Sequence, residues 1–359
     1  MIDTLETLTE NWADRVAETA DRGGTLAIRG GGSKAFYGGP ELGEPFDVRA
    51  NRGIVAYEPT ELVVTARAGT LLNDLQAALA EQGQFLPFEP PHFSDLATVG
   101  GMLATALSGP RRQAVGAVRD FVLGVKVLTG TGEILSFGGQ VMKNVAGYDV
   151  SRLMAGSLGT LGLILEVSLK VLPLPAAEKS LRLTMDESGA LDRLNRWAGQ
   201  PLPISASAWH DGVLTLRLSG AVAAVAAAQR TLPGDALADD EATVFWSSIR
   251  EQTHAFFAGD APLWRLSLPS AAAPQALGAT LIEWGGAQRW WRGGDAQAIR
   301  AAGAVVGGHA TLFRATDAMK AEYGVFQPLS GPLLRIHRKL KHAFDPRGVF
   351  NPGRLYPDF

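Results

Sequence analysis

The stretch ATVGGMLATALSGPRRQAVGAVRDFVLGVKVLTGTGEILSFGGQVMKNVAGYDVSRLMAGSLGTLGLILEVSLKVLP, Ala97 to Pro173, decides the fold. Two apolar runs rich in β-branched residues, Phe121–Leu128 and Leu163–Leu172, read as buried strands. Between them Thr129-Gly130-Thr131-Gly132 signals a hairpin into a further strand, Glu133–Phe137. Glycine punctuates the stretch at nearly every turn. Without a Cβ, backbone amides can approach a ligand closely, and positive φ costs little. Bare backbone between apolar strands suits a large, flat, anionic ligand.

Upstream, Leu8, Trp12, Val16 and Ala20 recur at helical spacing, and Gly23-Gly24 stops that helix. A short strand, Thr25–Ile28, then runs into Arg29-Gly30-Gly31-Gly32-Ser33-Lys34. This is either a flexible loop or a phosphate cradle, in which consecutive amides form an anion-binding concavity and Arg29 and Lys34 add charge. It is neither a Walker loop nor a Rossmann turn, because G-x-x-x-x-G-K-[ST] and G-x-G-x-x-G are both missing. Ile54–Tyr57 and Leu62–Arg67 read as strands joined at Pro59. Thr70 is placed to cap a helix carrying Leu71, Leu72, Leu75 and Leu79. Phe85–Phe88 reads as another strand.

Composition narrows the function classes. With 359 residues there is room for two domains, each with a core. A net charge of −3 gives no nucleic-acid footprint. No apolar run reaches the roughly 18 residues of a membrane span. The acidic start, MIDTLETLTENW, lacks a hydrophobic signal segment, so a cytoplasmic location is expected, at a membrane only through partners. There is no cysteine, hence no disulfide, thiolate zinc site, cysteine-ligated iron–sulfur cluster or cysteinyl flavin bond. The six histidines show no HxH or HExxH spacing, so no metal site is expected.

Past Pro173 the character changes. Residues 176–310 are alanine-rich and hold seven of the eight tryptophans, which either fill a core or face a partner. Val213–Leu218 alternates as a strand, and Ala221–Thr231 reads as a helix. The expectation is an inserted α+β domain beginning after Leu172-Pro173-Leu174-Pro175. The C-terminal segment offers a helix, Leu333–Phe344, opened by Pro332, and then FDPRGVFNPG.

Taken together and in order, RGGGSK, TVGGMLAT…SG…GAVRDFVLGVKVLTGTGEIL, GSLGTLGLILEVSLKVLP and FDPRGVFNPG resemble the FAD-binding domain of the vanillyl-alcohol oxidase/p-cresol methylhydroxylase (PCMH) family. SGPRR, GQVMKNVAGYDVSRLMAGSLGTLG and GGHATLFR are similar, more narrowly, to the FAD-binding subunits of bacterial glycolate oxidases. The likeness is thin over residues 176–300. It implies an α+β fold: a two-subdomain PCMH-type FAD-binding domain over residues 1–175, an inserted α+β cap over 176–310, and a segment, 311–359, returning to the FAD domain. It also implies FAD as cofactor, held without a covalent bond, because Ser33 stands where histidyl-flavin relatives carry histidine.

The resemblance assigns roles. The backbone of Arg29, Gly30, Gly31, Gly32, Ser33 and Lys34 would hold the pyrophosphate. Pro90, Thr98, Gly100, Gly101, Ala104, Ser108 and Gly109 would line the flavin and ribityl chain. Gly116, Arg119 and Asp120 would lie along the cofactor. Gly156, Gly159, Gly162 and Ile164 would approach the adenosine half, and Asn351 the isoalloxazine ring. The implied reaction is glycolate plus acceptor to glyoxylate plus reduced acceptor. The implied partners are a catalytic flavoprotein subunit and an iron–sulfur subunit.

Other residues stay open. Arg111 and Arg112 are a solvated pair or a carboxylate site, and Lys143, Asn144, Tyr148 and Asp149 form a polar cluster beside a glycine. The HPGDGNxH-like and EHG-like motifs of the self-sufficient 2-hydroxy-acid dehydrogenases are missing. Only His309 and Arg314 offer a catalytic pair. Two rival readings follow, a self-sufficient FAD-dependent 2-hydroxy-acid dehydrogenase and a structural subunit with a non-catalytic flavin.

Overall fold

The computed structural model describes residues 2–139, 149–357 and 359, with side chains from residue 7. Lys143, Asn144 and Tyr148 lie outside the described residues. Asp149 accepts the backbone N–H of Arg152 and caps the short helix Val150–Leu153.

The quoted stretch builds the first lobe. Its five-stranded sheet runs Ile54–Glu58, Val63–Arg67, Leu163–Lys170, Val122–Leu128, Ile134–Gly138, each neighbour antiparallel. Leu163–Lys170 sits at the centre, and its burial explains the near-continuous apolar run. The expected hairpin joins Val122–Leu128 to Ile134–Gly138, with Gly132 at φ 85°. The helices Leu72–Glu81 and Val99–Thr105 contribute Leu72, Leu75, Leu79, Met102 and Leu103 to the core over this sheet.

Two local expectations fail. Thr70 does not cap the helix, whose N-cap is Leu71; its hydroxyl is bonded to the N–H and C=O of Gly53 instead. The run from Phe85 to Phe88 is strand only over Gln84–Phe85, which pairs with Leu172–Pro173.

The N-terminal helix, Ile2–Asp21, lays Trp12, Val16 and Ala20 on a second core with Phe46, Leu128, Leu163 and Phe350. Beside it the parallel pair Leu26–Arg29 and Glu44–Asp47 is met by the C-terminus. Leu26 donates its N–H to Val349 O and accepts from Asn351 N. A buried ion pair fixes that junction. Lys341 Nζ lies 2.6 Å from Asp345 Oδ2 and also donates to the carbonyls of Thr160 and Phe350. Asp345 accepts the N–H groups of Val349 and Phe350. The apolar residues of FDPRGVFNPG are thereby built into the first lobe.

The second lobe is one eight-stranded antiparallel sheet in the order Asp235–Ala236, Ala177–Thr184, Val213–Gly220, Ile204–His210, Thr280–Glu283, Gln288–Arg292, Leu263–Ser267, His309–Arg314. Strict alternation puts Leu214, Leu216 and Leu218 against the helices Glu187–Ala198 and Val222–Thr231. A boundary at residue 310 would cut the edge strand His309–Arg314, so we place the end of the inserted domain beyond Arg314. All seven tryptophans of this lobe are buried, which is the core alternative of the two expected.

The lobes share a core, in which Tyr37, Leu107 and Leu158 of the first pack with Leu281, Trp290 and Phe313 of the second. Charges cross the same junction. Arg111 is buried rather than solvated; it bonds Glu89 of its own lobe, and Glu178 and Ser219 across the boundary. Arg112 lies 4.3 Å over the Trp284 ring.

Candidate functional site

The first lobe carries a cleft of about 860 Å³. Its rim is the turn Arg29–Lys34, which leaves the strand Leu26–Arg29. Its floor is the start of the helix Val99–Thr105. Its far wall is formed by Leu158, Gly159, Gly162, Leu163, Ile164 and Asn351. No described residue accepts the backbone N–H of Gly30, Gly31, Gly32, Ser33 or Lys34. Five successive unpaired donors make a concavity of positive potential. Glycine is forced here by crowding: a Cβ on Gly31 would overlap the carbonyl of Leu96, and one on Gly30 would lie 2.6 Å from Thr98 Oγ1. Thr98 caps the floor helix by accepting Gly101 N–H.

Lys34 is the most deeply buried of the charged groups that line the cleft beside the glycine turn. Its side chain is buried, with long bonds of 3.3 Å to Ser33 Oγ and 3.2 Å to the His92 carbonyl, and no carboxylate among the described residues lies within ion-pair distance of it. Burial lowers its pKa to about 8, against the opposing pull of Glu251. An ammonium so poorly neutralised favours an anion beside it.

The cleft brings together Arg29 to Lys34, Thr98, Gly100, Gly101, Ala104, Gly159, Gly162, Ile164 and Asn351. It does not gather the others. Ser108 and Gly109 line a second cavity, of about 310 Å³, against the eight-stranded sheet, together with Pro91 rather than Pro90. Gly116, Arg119 and Asp120 form a turn outside the cleft. Asp120 accepts the N–H of Ala117, and Arg119 is exposed. Gly156 takes φ 85° in a turn packed on the floor helix, donating to Leu103 O.

Asn351 and Gly159 need correction as a pair. A Cβ on Gly159 would fall 2.6 Å from Asn351 Nδ2, so the two are neighbours. They cannot mark opposite ends of an extended dinucleotide. Asn351 also spends its amide on backbone, bonding Ile28 N–H and Leu158 O at 2.7 Å each. His309 and Arg314 fail as a pair too. They stand at opposite ends of one strand, about 16 Å apart. His309 is exposed. Arg314 stacks 3.7 Å over Phe36 and donates to Gln252 Oε1.

Further residues given no role in the sequence analysis also line the cleft, among them Glu41, Val48, Ala68 and Arg354, with Thr105 and Leu158 from inside the quoted motifs. Arg354 braces the segment after the glycine turn, donating to the carbonyls of Ala35, Tyr37 and Gly39. Its position two residues past Pro352 was the available signal.

Among the described residues no cluster of three or more acidic or histidine side chains could hold a metal ion, and no helix is long and apolar enough to cross a membrane.

Residues 7–138 match the FAD binding domain family. Over 335 residues the chain is 50% identical to glycolate oxidase subunit GlcE of Escherichia coli strain K12, covering 93% of each protein. The chain belongs to the GlcE family. Glycolate oxidase subunit GlcD of Bacillus subtilis strain 168 is 35% identical over 128 residues, 36% of this chain and 27% of that protein. Among solved structures, alkyldihydroxyacetonephosphate synthase superposes with a TM-score of 0.65 at 15% identity, over 96% of this chain and 75% of that one. The GlcE family thus shares its fold with that enzyme.

Proposed function

We propose that the chain is the FAD-binding subunit of a glycolate-oxidising complex, holding FAD non-covalently in the glycine-walled cleft. The observation that carries this is the cleft itself, five unpaired amides and a buried ammonium, in a chain half-identical to a glycolate oxidase subunit along nearly its whole length. The cleft residues fit the cofactor. The amides of Gly30 to Lys34 and the Lys34 ammonium suit a pyrophosphate, while Ala68, Ala104, Leu163 and Ile164 offer apolar walls to the rings. Ser33 and the absence of cysteine leave these residues without a usual attachment point for flavin.

Bound FAD would supply a two-electron acceptor for the alcohol carbon of a 2-hydroxy acid. The chain's own residues bind and orient it. The unpaired amides fix the phosphates, and the second cavity adjoins the cleft at the junction of the lobes. Onward electron transfer is assigned to partner subunits, one a catalytic flavoprotein and one carrying the iron–sulfur clusters that a cysteine-free chain cannot ligate through thiolates.

Purification of the native protein with its partners tests the reading. The expected preparation is yellow, releases FAD on acid precipitation, and contains a second flavoprotein and an iron–sulfur protein. Colourless protein that takes up no FAD, or flavin retained in the acid pellet on a modified peptide, contradicts it.

A further inference from the structure

The second cavity carries chemistry that the cofactor cleft does not use. It opens at the lobe junction between Phe93, the segment Leu107–Gly109, the end of the helix Asp239–Arg250, and the strands of the second lobe. Phe93 links it to the cleft, for Lys34 Nζ sits 5.7 Å from the centre of that ring. Its apolar walls are Phe93, Trp290 and Phe313.

Three charged side chains line this space; Arg250 is paired with Glu251 at 2.7 Å, whereas Arg265 and Glu283 form no ion pair among the described residues. Arg265 donates one bond, to Tyr37 Oη at 2.9 Å, and no described carboxylate lies within ion-pair distance of it. Glu283 is 4% exposed. Its Oε2 accepts from Trp290 Nε1 at 2.6 Å and Gln288 Nε2 at 2.9 Å. Its Oε1 has no partner among the described residues. The half-buried guanidinium, packed 5.6 Å over the Tyr37 ring and 5.4 Å over the Phe313 ring, and the buried carboxyl each keep hydrogen-bonding capacity unused. A ligand that presents a carboxylate at one end and a hydroxyl donor at the other satisfies both.

We propose that this cavity binds a short 2-hydroxy monocarboxylate, its carboxylate paired with Arg265 and its hydroxyl donating to Glu283 Oε1. The choice of acid rests on the functional reading above; the site rests on the side chains. The cavity is several-fold smaller than the cofactor cleft, so it suits a small acid rather than a nucleotide. Burial raises the Glu283 pKa to about 7, against the bonds from Trp290 and Gln288, with Glu89 adding to the rise and Arg265 opposing it. The carboxyl is therefore an ionised acceptor at pH 8.

The test is binding, read by calorimetry on the FAD-loaded protein at pH 8, with tryptophan fluorescence as a second signal because Trp290 lines the cavity. Glycolate is the probe, and acetate, which lacks the hydroxyl, is the control. Glycolate should bind about tenfold more tightly than acetate, as a charge-assisted bond implies. Arg265→Met should weaken both by tenfold or more, and Arg265→Lys by less, since a lysine keeps the charge without the fork. Glu283→Gln keeps an acceptor for Trp290 and Gln288 and should weaken glycolate alone. Equal binding of glycolate and acetate to the native protein, or glycolate binding unaltered by Arg265→Met, overturns the proposal. FAD content is measured on the same samples. Protein that retains FAD but binds no glycolate refutes this site and leaves the cofactor reading standing, whereas protein that holds no FAD refutes that reading instead.

Discussion

At the scale of single residues, the cleft depends on a lysine that burial has left only half-committed to its charge. Lys34 has a pKa of about 8 in the free protein, below its ordinary 10.5, because desolvation outweighs the attraction of Glu251. Its neutral form is favoured by the fold, so the free protein gains stability as pH rises from about 8 towards 10.5. Cofactor phosphates act oppositely: they favour the ammonium and raise that pKa. Other charges nearby are His92, whose carbonyl Lys34 bonds and whose imidazole pKa is lowered mainly by burial, and Arg314, which shares the Phe93 ring. FAD affinity should therefore be flat below pH 8 and fall above it, by up to about tenfold per pH unit. Fluorescence titration of apoprotein from pH 6 to 10 measures this. Lys34→Met should bind FAD more weakly at pH 7 and lose the slope. A native profile that is level to pH 10 would remove Lys34 from the phosphate site.

At the scale of elements, legibility followed the range of the interactions involved. Strands of the quoted stretch were readable for different reasons: Val122–Leu128 and Leu163–Lys170 are buried apolar runs, while the exposed Ile134–Gly138 is marked by the glycine turn before it. The glycine turn was readable because backbone crowding admits no Cβ. Arg29 to Lys34 carry that signal locally. Thr70 was misread because the bend at Gly53, 17 residues away, competes for its hydroxyl, and sequence adjacency to a helix cannot reveal that partner. Glu283 and Arg265 were silent for the same reason: they meet one cavity only after the strands Thr280–Glu283 and Leu263–Ser267 enter one sheet with the strand Gln288–Arg292 between them. Asn351 shows how a correct motif can hide its work. It holds φ 44° and ties the first strand, the Leu158 turn and the C-terminus together through three bonds. Asn351→Ala should cost about 3–8 kcal/mol: a left-handed alanine costs about 1–2 kcal/mol, and two backbone groups, the Leu158 carbonyl and the part-buried Ile28 N–H, lose their partners at about 1–3 kcal/mol each. Urea unfolding of the FAD-free protein gives the number. A loss below about 1 kcal/mol would mean that solvent replaces those bonds.

At the scale of the whole molecule, the question is what makes two lobes one structure. Apolar packing at the junction is part of the answer, but it is non-directional. Direction comes from Glu89, in the first lobe at φ 47°, which accepts the backbone N–H of Arg111 and receives Arg217 Nη2 from the second lobe at 2.8–2.9 Å from its two oxygens. Arg111 returns the tie through Glu178 at 2.6 Å. Desolvation alone would push the Glu89 pKa upward, yet Arg217 and Arg111 together hold it below the ordinary 4.5. Its contribution is thus present at neutral pH and is lost as pH falls below about 4.5 through the folded value. Glu89→Gln leaves two guanidinium groups with Glu178 as their remaining carboxylate partner. Removing one member of a buried network of this kind costs about 3–5 kcal/mol. The loss should fall on the coupling between lobes rather than on the cleft, which is built from the first lobe and the C-terminal segment. At pH 7 the variant should unfold at lower urea, and tryptophan fluorescence, dominated by the second lobe, should shift before FAD is released. The native protein should show the two signals together, and as pH falls through the lowered folded value of Glu89 the native and variant midpoints should converge. Coincident transitions in the variant, at the native midpoint, would show that apolar packing alone holds the lobes in register.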